Sequence, residues 1–91
     1  MQFLICYDIQ DNRVRSKIAK YLESFARRIQ YSVFLCEISD KKVMMVKNKL
    51  LGFTLEHQCG SVFVYPICEK CQEKIWQIGT PLEEKAQCYI F

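Results

Sequence analysis

The sequence predicts a single α+β domain, a two-layer sandwich in which an antiparallel sheet carries both helices on one face. Three observations lead to this fold. Apolar strand-like runs alternate along the chain with two segments of helical periodicity. The chain has 91 residues, which suits one domain with a single core. Its hydrophobic fraction of 51% and charged fraction of 25% are typical of a folded protein rather than a disordered one.

The first predicted strand covers residues 2 to 9 and places a carboxylate, Asp8, near its end. One face of this strand carries four large apolar side chains, Phe3, Ile5, Tyr7 and Ile9. The other face carries Leu4 and Cys6 before Asp8, so both faces need a cover. Two interpretations of Asp8 stay open: it accepts backbone N–H bonds from the turn, or it acts as a metal ligand or general base.

The first predicted helix follows at once, with Asp11 or Asn12 as its N-cap. Its apolar stripe consists of Val14, Ile18, Leu22 and Phe25. Three of its basic residues are expected to face solvent, namely Arg13, Lys17 and Lys20. Arg15 belongs to the first turn and is expected to approach the strand end that carries Asp8.

A second long strand is predicted over residues 28 to 38, and it is expected to be bent or split near Ser32. Ser39 and Asp40 then cap a second helix that ends near Gly52. The inner stripe of this helix consists of Val43, Val46 and Leu50.

The C-terminal part of the chain contains shorter elements. A third strand is predicted over residues 61 to 67, and its Pro66 places it at a sheet edge or at a strand end. A short helix over residues 69 to 78 is expected to be anchored by Ile75 and Trp76. The remaining elements are a loop over residues 53 to 60, a turn over residues 79 to 81 and an apolar terminal strand over residues 88 to 91.

The sheet face opposite the helices is predicted to be apolar and bare in a single chain. It includes Leu4 and Cys6, and contiguous apolar patches of this kind mark interaction sites. We therefore expect a homodimer, with two-fold symmetry, that covers this face. Asp8 lies on the same face by strand parity, so a nearby two-fold axis would bring two copies of Asp8 together. Pairing with the partner's sheet edge would also bury the terminal strand.

The positive charge of the chain is concentrated in one segment. The net charge is +3, yet residues 12 to 28 hold six Lys or Arg against one Glu. This local excess of five charges lies next to Asp8 and flanks the second strand. A charge run is commonly a solvated helix face, but in this place it is also what a phosphate-binding surface requires.

The sequence shows neither the pattern of a membrane protein nor that of a secreted protein. None of its apolar runs approaches the roughly 18 residues of a membrane span. The N-terminus also lacks the basic-then-apolar pattern of a secretion signal. We therefore expect a cytoplasmic protein with no membrane partner.

The cysteines are expected to be reduced thiols. They are Cys6, Cys36, Cys59, Cys68, Cys71 and Cys88. Cys6 and Cys36 lie in apolar strand-like runs, where free cysteine behaves as a small hydrophobe. Cys68 and Cys71 form a single CxxC, and no second CxxC or CxxH pair completes a zinc site. A zinc site that recruits Cys59 and Cys88 stays open, as does a redox CxxC that opens a helix after a strand.

The chain resembles a known family in three stretches, YDIQDNRVRSK, RRIQYSVF and SVFVYPIC. In order and spacing they are similar to the Cas2 family of small CRISPR-associated proteins, a subunit of the spacer-acquisition complex. The resemblance runs from residue 1 to about residue 79. It implies a ferredoxin-like fold and a symmetric dimer in which a C-terminal strand extends onto the partner. We accordingly place the ferredoxin-like domain at residues 1–79 and the extension at residues 80–91.

The resemblance also implies a site. In family members that cut RNA or double-stranded DNA, the Asp of the YDI motif binds a divalent metal, usually magnesium, across the dimer axis. Here that role falls on Asp8. The other implied catalytic positions are Tyr7, Arg15, Arg28, Ser32 and Phe34. The implied nucleic-acid-binding residues are Arg13, Arg15, Lys17, Arg27 and Arg28. Magnesium suits hard oxygen ligands, and arginines neutralise the charge that develops on phosphate oxygens.

The chain departs from the family pattern at three positions. Leu35 follows SVF, where many relatives carry Glu, and the nearest acid is Glu37. Gly60 precedes the third strand, where many relatives carry Asp. Lys17 occupies a position that is often Arg and lacks the bidentate fork of that residue. Metal ligation is therefore expected to rest on Asp8 from each protomer.

Three functions stay open at this point. The first is a metal-dependent endonuclease of RNA or double-stranded DNA. The second is a non-catalytic dimer that bridges copies of the CRISPR integrase, Cas1, and holds the spacer duplex through phosphate contacts. The third is a toxin-type endoribonuclease resembling virulence-associated protein D. An integrase gene beside repeats would support the first two, and an antitoxin gene would support the third.

Overall fold

The computed structural model describes residues 1–55 and 60–79, which form two layers, a sheet and its helices. The elements in chain order are β1 (Gln2–Asp8), α1 (Asn12–Glu23), β2 (Arg27–Gln30), β3 (Val33–Glu37), α2 (Asp40–Leu55), β4 (Ser61–Ile67) and α3 (Glu69–Glu73). The four strands pair antiparallel in the order β2-β3-β1-β4. This arrangement confirms the predicted α+β, ferredoxin-like class. The predicted terminal extension, residues 80–91, lies outside the described residues.

The core lies between the sheet and the two long helices. The predicted inward face of β1 and the residue after it are buried, with Phe3, Ile5, Tyr7 and Ile9 at 5%, 0%, 4% and 3% exposure. The helices contribute the stripes that their periodicity predicts, Val14, Ile18 and Leu22 from α1 and Val43, Val46 and Leu50 from α2. Phe25, predicted in the first stripe, follows the end of α1 and is half-buried against this core.

The segment predicted as one long strand is two strands joined by a tight turn. β2 ends at Gln30, β3 begins at Val33, and the two pair antiparallel as a hairpin. The split therefore falls where the sequence predicted it, near Ser32. The pairing register shifts between Arg28 and Gln30, a β-bulge just before the turn.

The second helix is longer than predicted, because Gly52 does not end it. α2 continues to Leu55, so residues 53 to 55 are helical rather than part of a loop. An interior glycine costs a helix about 1 kcal/mol relative to alanine. Packing offsets this cost, since Phe53 contacts the core and meets the ring of Tyr21 edge-on, with centroids 5.9 Å apart. The Thr54 hydroxyl also donates to the carbonyl of Leu50 (3.2 Å).

The last helix is shorter than predicted, and its expected anchors do not enter the core. α3 ends at Glu73 and has no buried residue. Ile75 and Trp76 are 48% and 80% exposed. Apolar side chains anchor a helix only where another layer covers them, and none of the described elements packs over this segment.

The face of the sheet turned away from the helices is apolar, and we call it the open face. Strand pairing places on it Leu4, Cys6, Val33, Leu35, Phe63 and Tyr65. No described element covers it, and Phe63 and Tyr65 are 52% and 49% exposed. The edge strand β4 contains Pro66, as predicted. Within residues 1–55 and 60–79, no helix is both long and apolar enough to cross a bilayer.

Candidate metal and nucleic-acid site

Asp8 is the last residue of β1 and stands opposite Ser61, the first residue of β4. Its side chain is exposed and points to the open face, as the alternation along β1 requires. On the other side of β1, the N–H of Tyr7 donates to the carbonyl of Ser32 (3.1 Å). The strand end that carries Asp8 therefore lies between the β2–β3 turn and the start of β4.

The turn after β1 is stabilised by Asp11 rather than by Asp8. One carboxylate oxygen of Asp11 accepts the N–H groups of Arg13 (2.9 Å) and Val14 (3.1 Å), the arrangement of a helix N-cap. Within the described part of the chain, the Asp8 carboxylate has neither a hydrogen bond nor an ion pair. Of the two interpretations of Asp8, the turn-bonding one is therefore not supported.

Arg15 braces the main chain between β1 and α1. Its guanidinium donates to the carbonyls of Ile9 (3.0 Å) and Gln10 (3.4 Å) and to the side chain of Asn12. The side chain thus approaches the end of β1, as its place in the first helical turn predicted. Its bonds go to the backbone that follows Asp8, so Arg15 holds this connection in place.

Tyr7 and Phe34 lie in the core, on the other side of the sheet from Asp8. Both side chains are buried, and their rings stack with centroids 6.3 Å apart. The Tyr7 hydroxyl is buried and has no hydrogen-bond partner among the described residues. Ser32 is half-buried in the turn, and its backbone carbonyl accepts the hydrogen bond from the N–H of Tyr7. Tyr7 and Phe34 therefore support the strand end from the helix side of the sheet and do not share a surface with the Asp8 carboxylate.

Arg28 also lies on the helix side of the sheet. It pairs with Phe34 across the hairpin, and its guanidinium carbon lies 5.2 Å from the Phe34 ring centroid and 5.6 Å from that of Tyr31. Its Nε donates to the carbonyl of Tyr31 (3.1 Å), and it forms an ion pair with Glu23 (3.5 Å). The fold therefore separates Arg28 from Asp8, although both belong to the sequence-predicted site.

The remaining predicted basic residues fall on different surfaces. Arg13 and Lys17 are exposed on α1. Arg27 pairs with Leu35 and so belongs to the open-face side of β2. Arg27 lies two strands away from β1 and is level with Leu4, four residues before Asp8. The backbones of Arg27 and Asp8 are therefore about 16 Å apart.

A second basic helix was missed by the sequence analysis. α2 carries Lys41, Lys42, Lys47 and Lys49 against one acid, Asp40. The ammonium groups of Lys42 and Lys49 lie over the rings of Phe25 (4.9 Å) and Phe53 (5.4 Å). A charge count over the predicted helix would have found it. The sequence analysis also missed Tyr31, a turn residue that is 78% exposed beside Arg28.

The described residues of one protomer supply few metal ligands. Within residues 1–55 and 60–79, no group of three or more His, Cys, Asp or Glu side chains is placed to hold a metal ion. Leu35 pairs with Leu4 on the open face, so the position where Glu was expected adds an apolar contact instead. The described residues of one protomer thus leave a metal at Asp8 to complete its shell with waters, substrate or a second protomer.

The comparison that decides the family is a match over residues 1–75 to the family model described as "CRISPR associated protein Cas2". The chain belongs to the Cas2 family. Curated Cas2 relatives of similar sequence include proteins from Chloroflexus aurantiacus, 34% identical over 92 residues, and Methanospirillum hungatei, 31% identical over 90 residues. Each alignment covers 99% of both chains. A Rhodospirillum rubrum relative is 34% identical over 91% of this chain and 66% of its own length.

Solved Cas2 structures share the fold. Streptococcus pyogenes Cas2 at pH 6.5 aligns with a TM-score of 0.75 at 23% identity, over 87% of this chain and all of the other. The structure described as "Partial Cas6-RT-Cas1--Cas2 complex" aligns with a TM-score of 0.74 at 22% identity, over 89% of this chain and 88% of the other. At these identities the likeness establishes the Cas2 fold and leaves activity to other arguments.

Proposed function

We propose that this Cas2-family chain is a magnesium-dependent endonuclease that acts in CRISPR spacer acquisition as a two-fold homodimer. The observation that carries the proposal is the Asp8 carboxylate, which is exposed at the end of β1 and has no protein partner among the described residues. A carboxylate in this state is available to a hydrated cation. The three relatives described above are named endoribonucleases, which supports RNA as the substrate.

The dimer is supported by the open face. This face is apolar at six positions and carries Asp8 beside them at the end of β1. Burying it against a second copy would remove Phe63 and Tyr65 from water, and both are about half exposed in one chain. A two-fold axis near the end of β1 would then place two Asp8 carboxylates close together.

The residues present fit a magnesium ion held in this way. Magnesium prefers oxygen ligands and retains several waters, so two carboxylates, water and substrate phosphate supply a suitable shell. When bound, the ion would supply an activated water and charge neutralisation at phosphorus. Arg15 positions the chain after Asp8, and the exposed Arg13 and Lys17 attract phosphate. Arg28 acts as a positioning residue, because it fixes the β2–β3 turn beside the strand end.

The experiment that tests this function is cleavage of labelled single-stranded RNA and duplex DNA, with magnesium and with chelator. Wild type is compared with Asp8→Asn, which keeps the size of the side chain, and binding is followed on the same samples. We expect metal-dependent cleavage by wild type, and loss of cleavage with unchanged binding in the variant. Binding without cleavage by both proteins would reject the endonuclease.

A second candidate function is the non-catalytic bridge, and the charge of the helical layer favours it. α1 and α2 each carry four basic residues against one acidic residue, whereas the chain as a whole has a net charge of only +3. A broad basic surface suits a duplex backbone, which is bound through phosphates without reading sequence. A solved relative of the same fold occurs in a complex with Cas1. The bridging function would be supported if wild type and Asp8→Asn both bind duplex DNA without cutting it and both bind Cas1.

A further inference from the structure

Tyr31 is an exposed aromatic residue in the β2–β3 turn, and the proposed metal site does not use it. Its side chain is 78% exposed. Exposure alone marks nothing, since single exposed apolar groups are common on protein surfaces. Three further observations concern the order of the turn, the surroundings of the ring and its place in the fold.

The backbone of the turn is held at both of its residues. The carbonyl of Tyr31 accepts a hydrogen bond from the Nε of Arg28 (3.1 Å), and the carbonyl of Ser32 accepts the N–H of Tyr7 (3.1 Å). Arg28 is itself held by an ion pair with Glu23 (3.5 Å). The ring of Tyr31 is therefore presented by an ordered turn, so a ligand that contacts it loses little affinity to ordering of the protein.

The ring of Tyr31 is oriented but not covered. The guanidinium carbon of Arg28 lies over it, 5.6 Å from the ring centroid. Since Tyr31 remains 78% exposed, this contact leaves most of the ring in water. Arg28 lies on the helix side of the sheet, so the ring beside it stays accessible when a second protomer covers the open face.

Tyr31 lies at the same end of the sheet as Asp8. Its neighbour Ser32 is hydrogen-bonded to Tyr7, the neighbour of Asp8. Through this connection the Cα atoms of Tyr31 and Asp8 are at most about 13 Å apart. α1 begins shortly after Asp8, so the exposed Arg13 lies at this end as well. An aromatic ring, a cation and the proposed metal ligand thus border one end of the sheet.

We propose that Tyr31 stacks on an unpaired base of a single-stranded nucleic acid whose backbone crosses the strand end at Asp8. Every base has a π-face, so a tyrosine ring accepts any base in this way. The bases of a duplex are stacked on one another and are costly to extrude, so the contact selects single strands. That the bound strand is the substrate rests on the proposed endonuclease, whereas the stacking contact itself does not.

Trp76 is equally exposed but lies elsewhere, which makes it the matched control. It is 80% exposed and follows α3. α3 comes after the end of β4 that is level with Gln2, at the opposite end of β1 from Asp8. Glu69 and Glu73 of α3 line an acidic cavity there. Carboxylates repel phosphate, so we expect no nucleic acid to bind at Trp76.

The test is the affinity for fluorescently labelled oligouridylate, measured with chelator so that metal-dependent cleavage does not occur. Tyr31→Ala should bind about 5- to 100-fold more weakly than wild type, the range that corresponds to the loss of one stacked base. Tyr31→Phe keeps the ring, and it should bind within about twofold of wild type, as should Trp76→Ala. Tyr31→Ala also keeps the carbonyl that Arg28 binds, so its urea unfolding should show an intact fold.

Two further measurements separate stacking from charge. The slope of log affinity against log salt counts phosphate contacts, so Tyr31→Ala should leave it unchanged. With an abasic strand of the same length, or with the strand paired in a duplex, wild type and Tyr31→Ala should bind equally, because no unpaired base is present to couple with the ring. Oligothymidylate should show the same loss as oligouridylate, since the ring contacts the base rather than the sugar.

The proposal is overturned if wild type does not bind the single strand, or if Tyr31→Ala and Trp76→Ala bind alike. A loss that persists with the abasic strand, or is confined to one type of sugar, would contradict it as well. These results are distinct from those for the endonuclease. Binding that depends on Tyr31 without any cleavage would reject the proposed endonuclease and keep the stacking contact, whereas cleavage with unchanged affinity in Tyr31→Ala would do the reverse.

Discussion

The backbone carbonyl of Asp8 lies so close to Gly60 that a Cβ atom on residue 60 would stand 2.3 Å from its oxygen. Gly60 also has a φ of 87°, a conformation that residues with a side chain rarely adopt. This contact sets the end of β1 against the start of β4. It also gives a physical reason for glycine where the family pattern led us to expect Asp: a larger residue would displace the strand end that presents Asp8.

The first prediction concerns this contact. Gly60→Ala should destabilise the fold by about 2–4 kcal/mol, because it combines backbone strain with a clash against main-chain atoms. Gly79→Ala is the matched control, since Gly79 has a φ of 91° but an added Cβ there would lie more than 4 Å from the described residues, its chain neighbours aside. Gly79→Ala should lower the free energy of unfolding by about 1 kcal/mol. Urea unfolding of the three proteins measures the difference, and equal costs would contradict the steric explanation.

A second prediction concerns the N-cap of α1. Asp11→Ala removes the carboxylate that accepts two backbone N–H groups and should cost about 1 kcal/mol. Asp11→Asn keeps an acceptor oxygen and should cost a few tenths of a kcal/mol at most. Thermal unfolding of both variants measures these costs. Equal destabilisation by Ala and Asn would mean that the charge of Asp11, rather than its cap geometry, stabilises the helix.

A third prediction concerns the open face. Phe63→Glu places a charge on the open face, within the proposed dimer contact, and should convert a dimer to a monomer. Phe63 is 52% exposed in one chain, so the fold itself should be little affected. Tyr31→Glu is the matched control, because Tyr31 is an exposed aromatic on the hairpin turn. Sedimentation measures the masses, and a dimer that persists in Phe63→Glu would place the interface elsewhere.

A fourth prediction concerns the basic helical layer. If α2 contacts phosphate, the double substitution of Lys42 and Lys49 by Gln should reduce the slope of log affinity against log salt by about 1.8 for duplex DNA. Lys70 and Lys74, near the acidic cavity at α3, provide a control pair for the same substitution. An unchanged slope in the first pair would exclude α2 from the binding surface.

The alternation of side chains along β1 was enough to predict which residues form the core. Because strand parity is strict, Phe3, Ile5 and Tyr7 are buried and Asp8 points the other way, as expected. The extent of α2 was not predictable in this way. Its continuation past Gly52 depends on the contact between Phe53 and Tyr21, which is tertiary and invisible to a local pattern.

The sequence predicted which residues belong to the site but not where they lie relative to one another. The resemblance assigned both Arg28 and Asp8 to the site, and a linear motif cannot show that they lie on opposite sides of the sheet. The sequence predicted the split near Ser32. It did not predict that Arg28 pairs with Phe34 across the hairpin, and this pairing places Arg28 on the helix side of the sheet. The positive charge of α2 is visible in the sequence as four lysines between residues 41 and 49, as many basic residues as α1 carries.

The measurement that tests the shared site most directly is the stoichiometry of Mn²⁺ binding, with Mn²⁺ as a paramagnetic substitute for magnesium. If one ion lies between the two Asp8 carboxylates of a dimer, wild type should bind one magnesium-displaceable ion per two chains. Asp8→Asn should bind none at the same concentration while remaining dimeric. One ion per chain, or binding that Asp8→Asn leaves unchanged, would contradict a metal site formed by Asp8 across the dimer axis.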